Sequence, residues 1–265
     1  MSASADGVSL ALAWSEGNHD QVECWTEPPH HAASDRILTN ADALLRSHGL
    51  KPLSLQLAAV DIGPGPFTAV RAACSVAQGL SLAGDIRVVP VSSTEILAGQ
   101  ACEGLEAGRH TVLVVIDARM GEWYCASLEV AMSASGGNSE KSRLQSVREL
   151  RACVVCPSDE IWNLAGPGEA AMSGTRLSVA GNGAKTLFQP GSTLFEQATA
   201  CGWSLRLAPG VTAPRADVLM AIALMRAEQS GIGETLELVP RYVRNKVALD
   251  IHEQEAARRA SGRRS

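Results

Sequence analysis

Residues 60–84 read VDIGPGPFTAVRAACSVAQGLSLAG, an apolar run that breaks into a glycine-rich turn and opens onto a helix. Upstream, LSLQLAAVDIG has strand length. Downstream, Phe67, Val70, Cys74, Ala77 and Leu80 fall on one helical stripe, with Gly84 to end it. A strand, glycine turn and helix in that order aim the backbone N–H groups of the helix start at any bound anion. This turn, however, carries neither the lysine and hydroxyl of a P-loop nor G-x-G-x-x-G spacing. Pro64 and Pro66 have no N–H to give, and Pro66 suits a first helical turn, where the missing donor costs nothing. Local chemistry favours a tight structural turn over a phosphate cradle.

Working outward, IRVVPVSS is the next strand and TEILAGQACEG the next helix, with Ser93 or Thr94 available as N-cap. This alternation predicts a largely parallel sheet. Toward the start, VSLALAW and VECWT flank a polar turn and read as a hairpin. A helix is expected from Asp35 to His48, with Ser34 as N-cap, Gly49 after His48 at its end, and Ile37, Leu38, Ala41, Leu44 and Leu45 at helical spacing. Further on, TVLVVIDARMGEWYCASLEV reads as two strands joined at ARMGE, and SASGGNSEKS as a polar loop. RLSVAGNGAKTLF repeats the strand, glycine turn and helix. APRADVLMAIALMRAEQSG is a helix with Val218, Leu219, Ile222 and Leu224 apolar, and LVPRYVRNKVA an extended closing segment.

The chain has 265 residues, 46% hydrophobic and 19% charged, with a formal net charge of -5 and a pI near 5.7. That composition describes a globular protein without the clustered Lys and Arg of a nucleic-acid binder; the dense basic ARRASGRRS reads as a solvated tail. No stretch approaches the roughly 18–20 consecutive apolar residues of a membrane-spanning helix, and the first residues lack a signal-peptide pattern. A cytoplasmic protein is expected. Seven cysteines fit reduced, buried thiols better than a disulfide framework, and Cys153 and Cys156 lack the second pair or histidine of a zinc set, so RACVVCP reads as the core of a strand or helix.

Asp117 ends an apolar strand, where a carboxylate serves to coordinate magnesium or orient water, or to cap the following turn. Glu122 adds a second acid beside the same hairpin, and spacing alone does not make the two converge. The turn-stabilising reading is favoured. Gly181, Asn182 and Gly183 make another turn that either faces a nucleotide or is simply tight, with the tight turn favoured. There is no G-x-S-x-G elbow and no H-E-x-x-H spacing, and the adjacent His30 and His31 point in different directions. No catalytic set emerges.

In this order, VDIGPGPFTAVRAACSVAQGLSLA, VSSTEILA, VVIDARMGEWYCA, AGNGA and PRYVRNKVA resemble the TsaB (YeaZ) family, the accessory subunits of bacterial tRNA threonylcarbamoyladenosine synthesis. The resemblance runs from about Gly7 to Ala248. It implies an α/β, two-lobed, actin-like ATPase (ribonuclease-H-like) fold, with a first lobe over 1–104 and a second over 105–265 whose closing helix and tail pack back on the first. It also implies a scaffold that binds a TsaD-like catalytic subunit, with a TsaE-like ATPase as further partner, a homodimer as an alternative assembly, and tRNA met only through the complex. On this reading the subunit needs no cofactor or metal of its own, with ATP, if any, at the partner interface. The phosphate-loop-like turn is Gly63, Gly65, Phe67, Thr68 and Arg71. The hairpin of the second lobe contributes Asp117, Arg119, Gly121 and Glu122. The partner-binding helices contribute Ile37, Leu38, Ala41, Leu45, Val70, Cys74 and Ala77. The rival readings are an active actin-like ATPase or small-molecule kinase, and a peptidase.

Three departures from the family stand out. Its glycine motif reads G-P-G-S-F-T-G, where this chain has Pro66 and Ala69. Its His-Ser-Glu is here Ala33, Ser34 and Asp35. Family members also begin with an apolar strand ending in Asp-Thr-Ser, and SASADGVSLALAW starts just after it, so the first lobe is expected to lack its first strand and Met1 to lie downstream of the true start. A central strand's loss would orphan backbone groups at about 1–3 kcal/mol each, against a total stability of about 5–15 kcal/mol.

Overall fold

Alternation along the first long strand sets the first sheet. In β2 (Gly7–Glu16) the side chains of Val8, Leu10 and Leu12 are buried, the period-2 pattern of a strand with one face inward. It returns antiparallel as β3 (His19–Glu27), paired from Val8↔Glu27 to Glu16↔His19, the expected hairpin. The computed structural model describes residues 1–4, 7–16, 19–28, 36–134, 142–168, 176–230 and 238–244. The expected Ser34 cap, His30 and His31, the loop around Gly136, and the stretch from Asn245 through the Arg-rich tail lie outside the described residues.

On the other side of β2 lies a short strand, β1 (Ser2–Ser4), antiparallel to it. The Met1 amino group donates to Ala59 O at 2.7 Å, and Asp61 N donates to Met1 O at 3.1 Å. These two bonds join β1 to β4 (Leu57–Asp61), which pairs in parallel with β5 (Arg87–Val91). Through Met1 the three-stranded sheet β3–β2–β1 and the two-stranded sheet β4–β5 stand in the order β3–β2–β1–β4–β5. The expectation of a missing first strand is corrected: residues 1–4 hold its place, because Met1 bonds along β4 and the buried Ser2 and Ala3 pair with Ser9 and Val8 of β2. The strand is short, and a cavity of about 520 Å³ lies between Leu10–Ser15 and Leu57–Ala59.

The second sheet repeats that order. It runs β8–β7–β6–β9–β10, from β6 (Gly108–Arg119), β7 (Glu122–Ser133), β8 (Arg143–Pro157), β9 (Arg176–Ala180) and β10 (Ser204–Leu207). In each lobe three antiparallel strands are followed by a parallel pair, β4 with β5 in the first and β9 with β10 in the second, where β9 also runs parallel to β6. The duplicated order meets the expectation of two ribonuclease-H-like lobes. Only the end of β8 was legible as a segment, because its inward–outward pattern is blurred by register shifts against β7.

Helix ends follow local chemistry. In α1 (Ile37–Ser47) the stop at Gly49 holds: with φ +67, it lets Gly49 N bond Arg46 O and Leu50 N bond Leu45 O, the paired closure of a Schellman end. α2 (Phe67–Ala83) begins after Pro66, which occupies the N-cap with extended ψ rather than the first helical turn. α3 (Ser93–Ala101) is capped by Ser92, not by Ser93 or Thr94. Ser92 Oγ accepts from Glu95 N and Ser92 N donates to Glu95 Oε2 at 2.9 Å, and only the Ser92–Glu95 spacing allows this reciprocal box. α4 (Ile161–Ala165), α5 (Ala184–Leu187) and α6 (Thr193–Ala200) cover the second sheet around the fully buried Phe188.

α7 (Ala216–Ser230) lies on the first sheet, where Val218, Leu219 and Ile222 pack with Val91 and Ile96. Leu224, apolar like these three, is 42% exposed, since two positions beyond Ile222 is nearly the opposite side of a helix. The closing segment Leu238–Arg244 follows without regular structure.

Candidate functional site

The glycine turn spends its polar capacity inward. Asp61, at the end of β4, is 1% exposed. Its carboxylate accepts from Gly63 N at 2.9 Å, from Ser93 Oγ at 2.7 Å and from Ser2 Oγ at 2.8 Å. Gly63 O accepts from Ser93 N at 2.8 Å, and Ile62 N reaches Val91 O at 3.0 Å. Gly63 takes φ +90, which favours glycine, and the Gly63–Pro64 peptide is cis. One carboxylate thus fastens β1, the turn and the start of α3, as the structural reading expects. Gly65 stands over Val70, Phe67 and Thr68 are exposed at the helix start, and the Arg71 guanidinium lies 3.5 Å from the Phe67 ring centre. Phe67 is 41% exposed and off the buried stripe on which it was expected.

Burial raises the pKa of Asp61, against the opposing pull of Ser93, Gly63, Ser2 and the Met1 amino group. The native state therefore holds this proton to higher pH than the unfolded chain does. Its contribution to stability is fully present below the unfolded value of 3.8 and is lost as pH rises through the higher native value. Asp61→Asn keeps an oxygen for Gly63 and Ser93 and offers an N–H to Ser2, so without costing stability at pH 7 it should remove the Asp61 contribution and leave the opposite slope of the buried Met1 amino group, whose pKa burial lowers to about 5 and whose stabilisation is lost as pH falls. Asp61→Ala strands three donors, at about 1–3 kcal/mol for each that stays buried. Melting curves from pH 4 to 8 check both; an Asn variant with the wild-type slope contradicts the assignment.

The hairpin behaves as a braced turn. Asp117 Oδ1 accepts from Arg119 N at 2.7 Å, while Asp117 N donates to Asn182 Oδ1 at 2.8 Å. Arg119 and Met120 both have positive φ (67 and 59), as does Gly121 (77). Glu122 pairs instead with Arg244. The two acids serve different partners, and among the described residues no three His, Cys, Asp or Glu side chains group as metal ligands. The AGNGA turn is likewise tight: Gly181 N bonds Val211 O at 2.8 Å and Gly183 N bonds Val115 O at 3.1 Å. Burial pushes the thiols of Cys74 up to about 11 and of Cys102 and Cys153 up to about 12, away from nucleophilic use. All seven cysteines are free.

Both glycine turns, the hairpin and the closing segment surround a cavity of about 380 Å³, lined among others by Pro64, Phe67, Asp117, Asn182 and Tyr242. Sequence reasoning assigned no role to Asp61 or Glu149, and it read Arg241, Tyr242 and Arg244 only as part of the PRYVRNKVA motif, although these groups knit this region together. Asp61 does repeat the pattern noted for Asp117, an acid ending an apolar strand before a turn.

Most side chains expected at a partner face are core. Ile37, Leu45, Val70, Cys74 and Ala77 are buried in the first lobe, and Ala41 packs against that cluster; Leu38 alone is exposed, at 55%. The stripe repeats every helical turn because it faces the sheet. The free surface is the opposite side: Leu38, Ala43 and Arg46 on α1, and Thr68, Arg71, Ser75, Gly79 and Leu82 on α2, with Leu82 at 90% exposure.

A family model described as TsaD, tRNA N6-adenosine threonylcarbamoyltransferase, matches residues 28–160, half of the chain. The tRNA threonylcarbamoyladenosine biosynthesis protein TsaB of Haemophilus influenzae is 26% identical over 247 residues, 93% of this chain and 93% of that protein. Its Escherichia coli namesake is 33% identical over 124 residues, 47% of this chain and 51% of that protein. Among solved structures, a Pseudomonas aeruginosa protein described as uncharacterized and similar to peptidase YEAZ superposes with TM-score 0.61 at 25% identity, covering 92% of this chain and 98% of the other. YeaZ from Pseudomonas aeruginosa gives 0.58 at 23%, covering 91% and 97%.

Proposed function

Because this chain belongs to the TsaB (YeaZ) family, we propose that it acts in tRNA threonylcarbamoyladenosine biosynthesis as a non-catalytic subunit that docks on a TsaD-type catalytic subunit. The observation that carries the reading is the outer face of α2. Thr68, Ser75 and Gly79 are small and exposed there, and Leu82 stands 90% out of the surface. Small residues let another helix approach closely, ridge into groove, and an apolar side chain so exposed gains from being covered. Leu38 of α1 extends the same kind of surface.

The interior supports a scaffold as well. The glycine turn and Asp117 already hold bonds within the chain, so this subunit needs no cofactor of its own, and ATP belongs at the interface with the partner. A TsaE-type ATPase joins the same assembly, tRNA is met through the complex, and in the partner's absence the α2 face is where a second copy would pair.

Reconstitution tests this. Purified chain alone should leave tRNA unmodified and turn over no ATP. Added to a TsaD-type subunit with threonylcarbamoyl adenylate and tRNA, it should raise the yield of modified nucleoside. ATP turnover by the isolated chain that falls with Asp117→Asn would instead establish the kinase-like reading.

A further inference from the structure

The closing segment spans the gap between the lobes with side chains on both. On the first lobe, Gln78 Nε2 of α2 donates to Leu238 O at 2.8 Å, and Arg241 N donates to Ile62 O at 2.7 Å, beside the glycine turn. Tyr242 Oη accepts from Arg71 Nε at 2.9 Å, and its ring lies 5.8 Å from that of Phe67. On the second lobe, the Arg241 guanidinium forks onto Glu149 of β8 at 2.6 and 3.0 Å. Arg244 pairs with Glu122 of β7 and reaches the backbone oxygen of Arg119. Seven residues without regular structure thus lie across the mouth of the 380 Å³ cavity, and Pro240 to Arg244 form one of its walls.

We propose that Leu238–Arg244 is a latch that holds the two lobes closed over the glycine turn, supplying from the chain itself the bridging contacts that a ligand bound between lobes would otherwise make. Arg241 is its pivot, since its backbone binds β4's end while its side chain binds β8. The Arg241–Glu149 pair is bidentate and about three-quarters buried on each side (28% and 25% exposed), the geometry in which charge-assisted bonds are strongest. Tyr242 and Arg71 add an aromatic and guanidinium contact on the outer rim. Through Arg71 and Gln78 the latch is tied to the same helix whose outer face is free, so its closure fixes how the second lobe sits behind that face.

Limited trypsin digestion of the full chain reads the latch directly, because Arg241 and Arg244 are themselves cleavage sites. Glu149→Gln and Glu122→Gln remove the charged partners while leaving both sites and the side-chain volumes intact. Cleavage after Arg241 should be slow in the wild type, rise on the order of tenfold in Glu149→Gln, which loses one strong charge-assisted bond, and rise further in the double variant. Amide exchange at Arg241 should quicken in parallel, with the melting temperature of the two sheets little changed. Immediate cleavage of the wild type, or equal rates in all three proteins, would overturn the latch. The assay uses no partner, so its failure leaves the docking role untouched.

Discussion

Gly79→Arg is expected to abolish capture of a TsaD-type subunit while leaving the chain folded. Gly79 lies mid-helix on the exposed side of α2, and a Cβ added there meets nothing within 4 Å. Glycine costs a helix interior about 0.8–1.0 kcal/mol relative to alanine, and arginine is among the better helix formers, so the isolated chain should melt at or slightly above the wild-type temperature. At the centre of a close helix contact, the same side chain must displace the partner or lie buried and unpaired. Affinity should fall by at least about 100-fold, near 3 kcal/mol. Titration calorimetry beside a thermal melt separates the two effects. Wild-type affinity in Gly79→Arg would place the interface elsewhere.

Gly181→Ala is the opposite kind of variant, expected to wreck the second lobe. Gly181 sits at φ +98, and an ideal Cβ would lie 2.1 Å from Val115 O and 2.8 Å from Val115 C. Those atoms belong to β6, the central strand, whose Val115 O already accepts from Gly183 N. Nothing near them is the yielding end of a side chain. Strain at a special φ together with a backbone clash should cost more than about 3 kcal/mol, or roughly 6–12 °C in melting temperature at this chain length. Gly121→Ala is the control: its φ is +77, but a Cβ there meets nothing within 4 Å, so only the conformational cost of about 1–2 kcal/mol remains. Equal melting temperatures for the two variants would show that the close approach to Val115 is not what demands glycine.

Much of the architecture was legible because its signals are local. The boundaries of α2 follow from the proline before it and the apolar spacing within it, and the β6–β7 hairpin from two apolar runs around ARMGE. The turn reading of Gly63 rested on absent proline donors, and the structure adds a positive reason, a buried carboxylate that takes up the Gly63 N–H. That reason was hidden because its partners are remote: Ser93 is 32 positions from Asp61 and Ser2 is 59. The latch is further out of reach, with Tyr242 and Arg71 separated by 171 positions. The helix faces were misread for a different cause. A stripe such as Val70, Cys74 and Ala77 has the same period whether it meets the chain's own sheet or another protein, and only burial, 0–5% for these three, tells which. Residues 143–157 are legible in the sequence only at RACVVCP, because an edge strand with several register shifts loses its alternation.

The measurement that tests the central claim most directly is recovery of partners on the full chain, tagged at its C-terminus and expressed at native level, with stoichiometry read by quantitative mass spectrometry. A TsaD-type subunit recovered in near-equal amount, and lost with Gly79→Arg, is the predicted result. A soluble bait that leaves that subunit behind, although the cell contains it, would contradict the docking role.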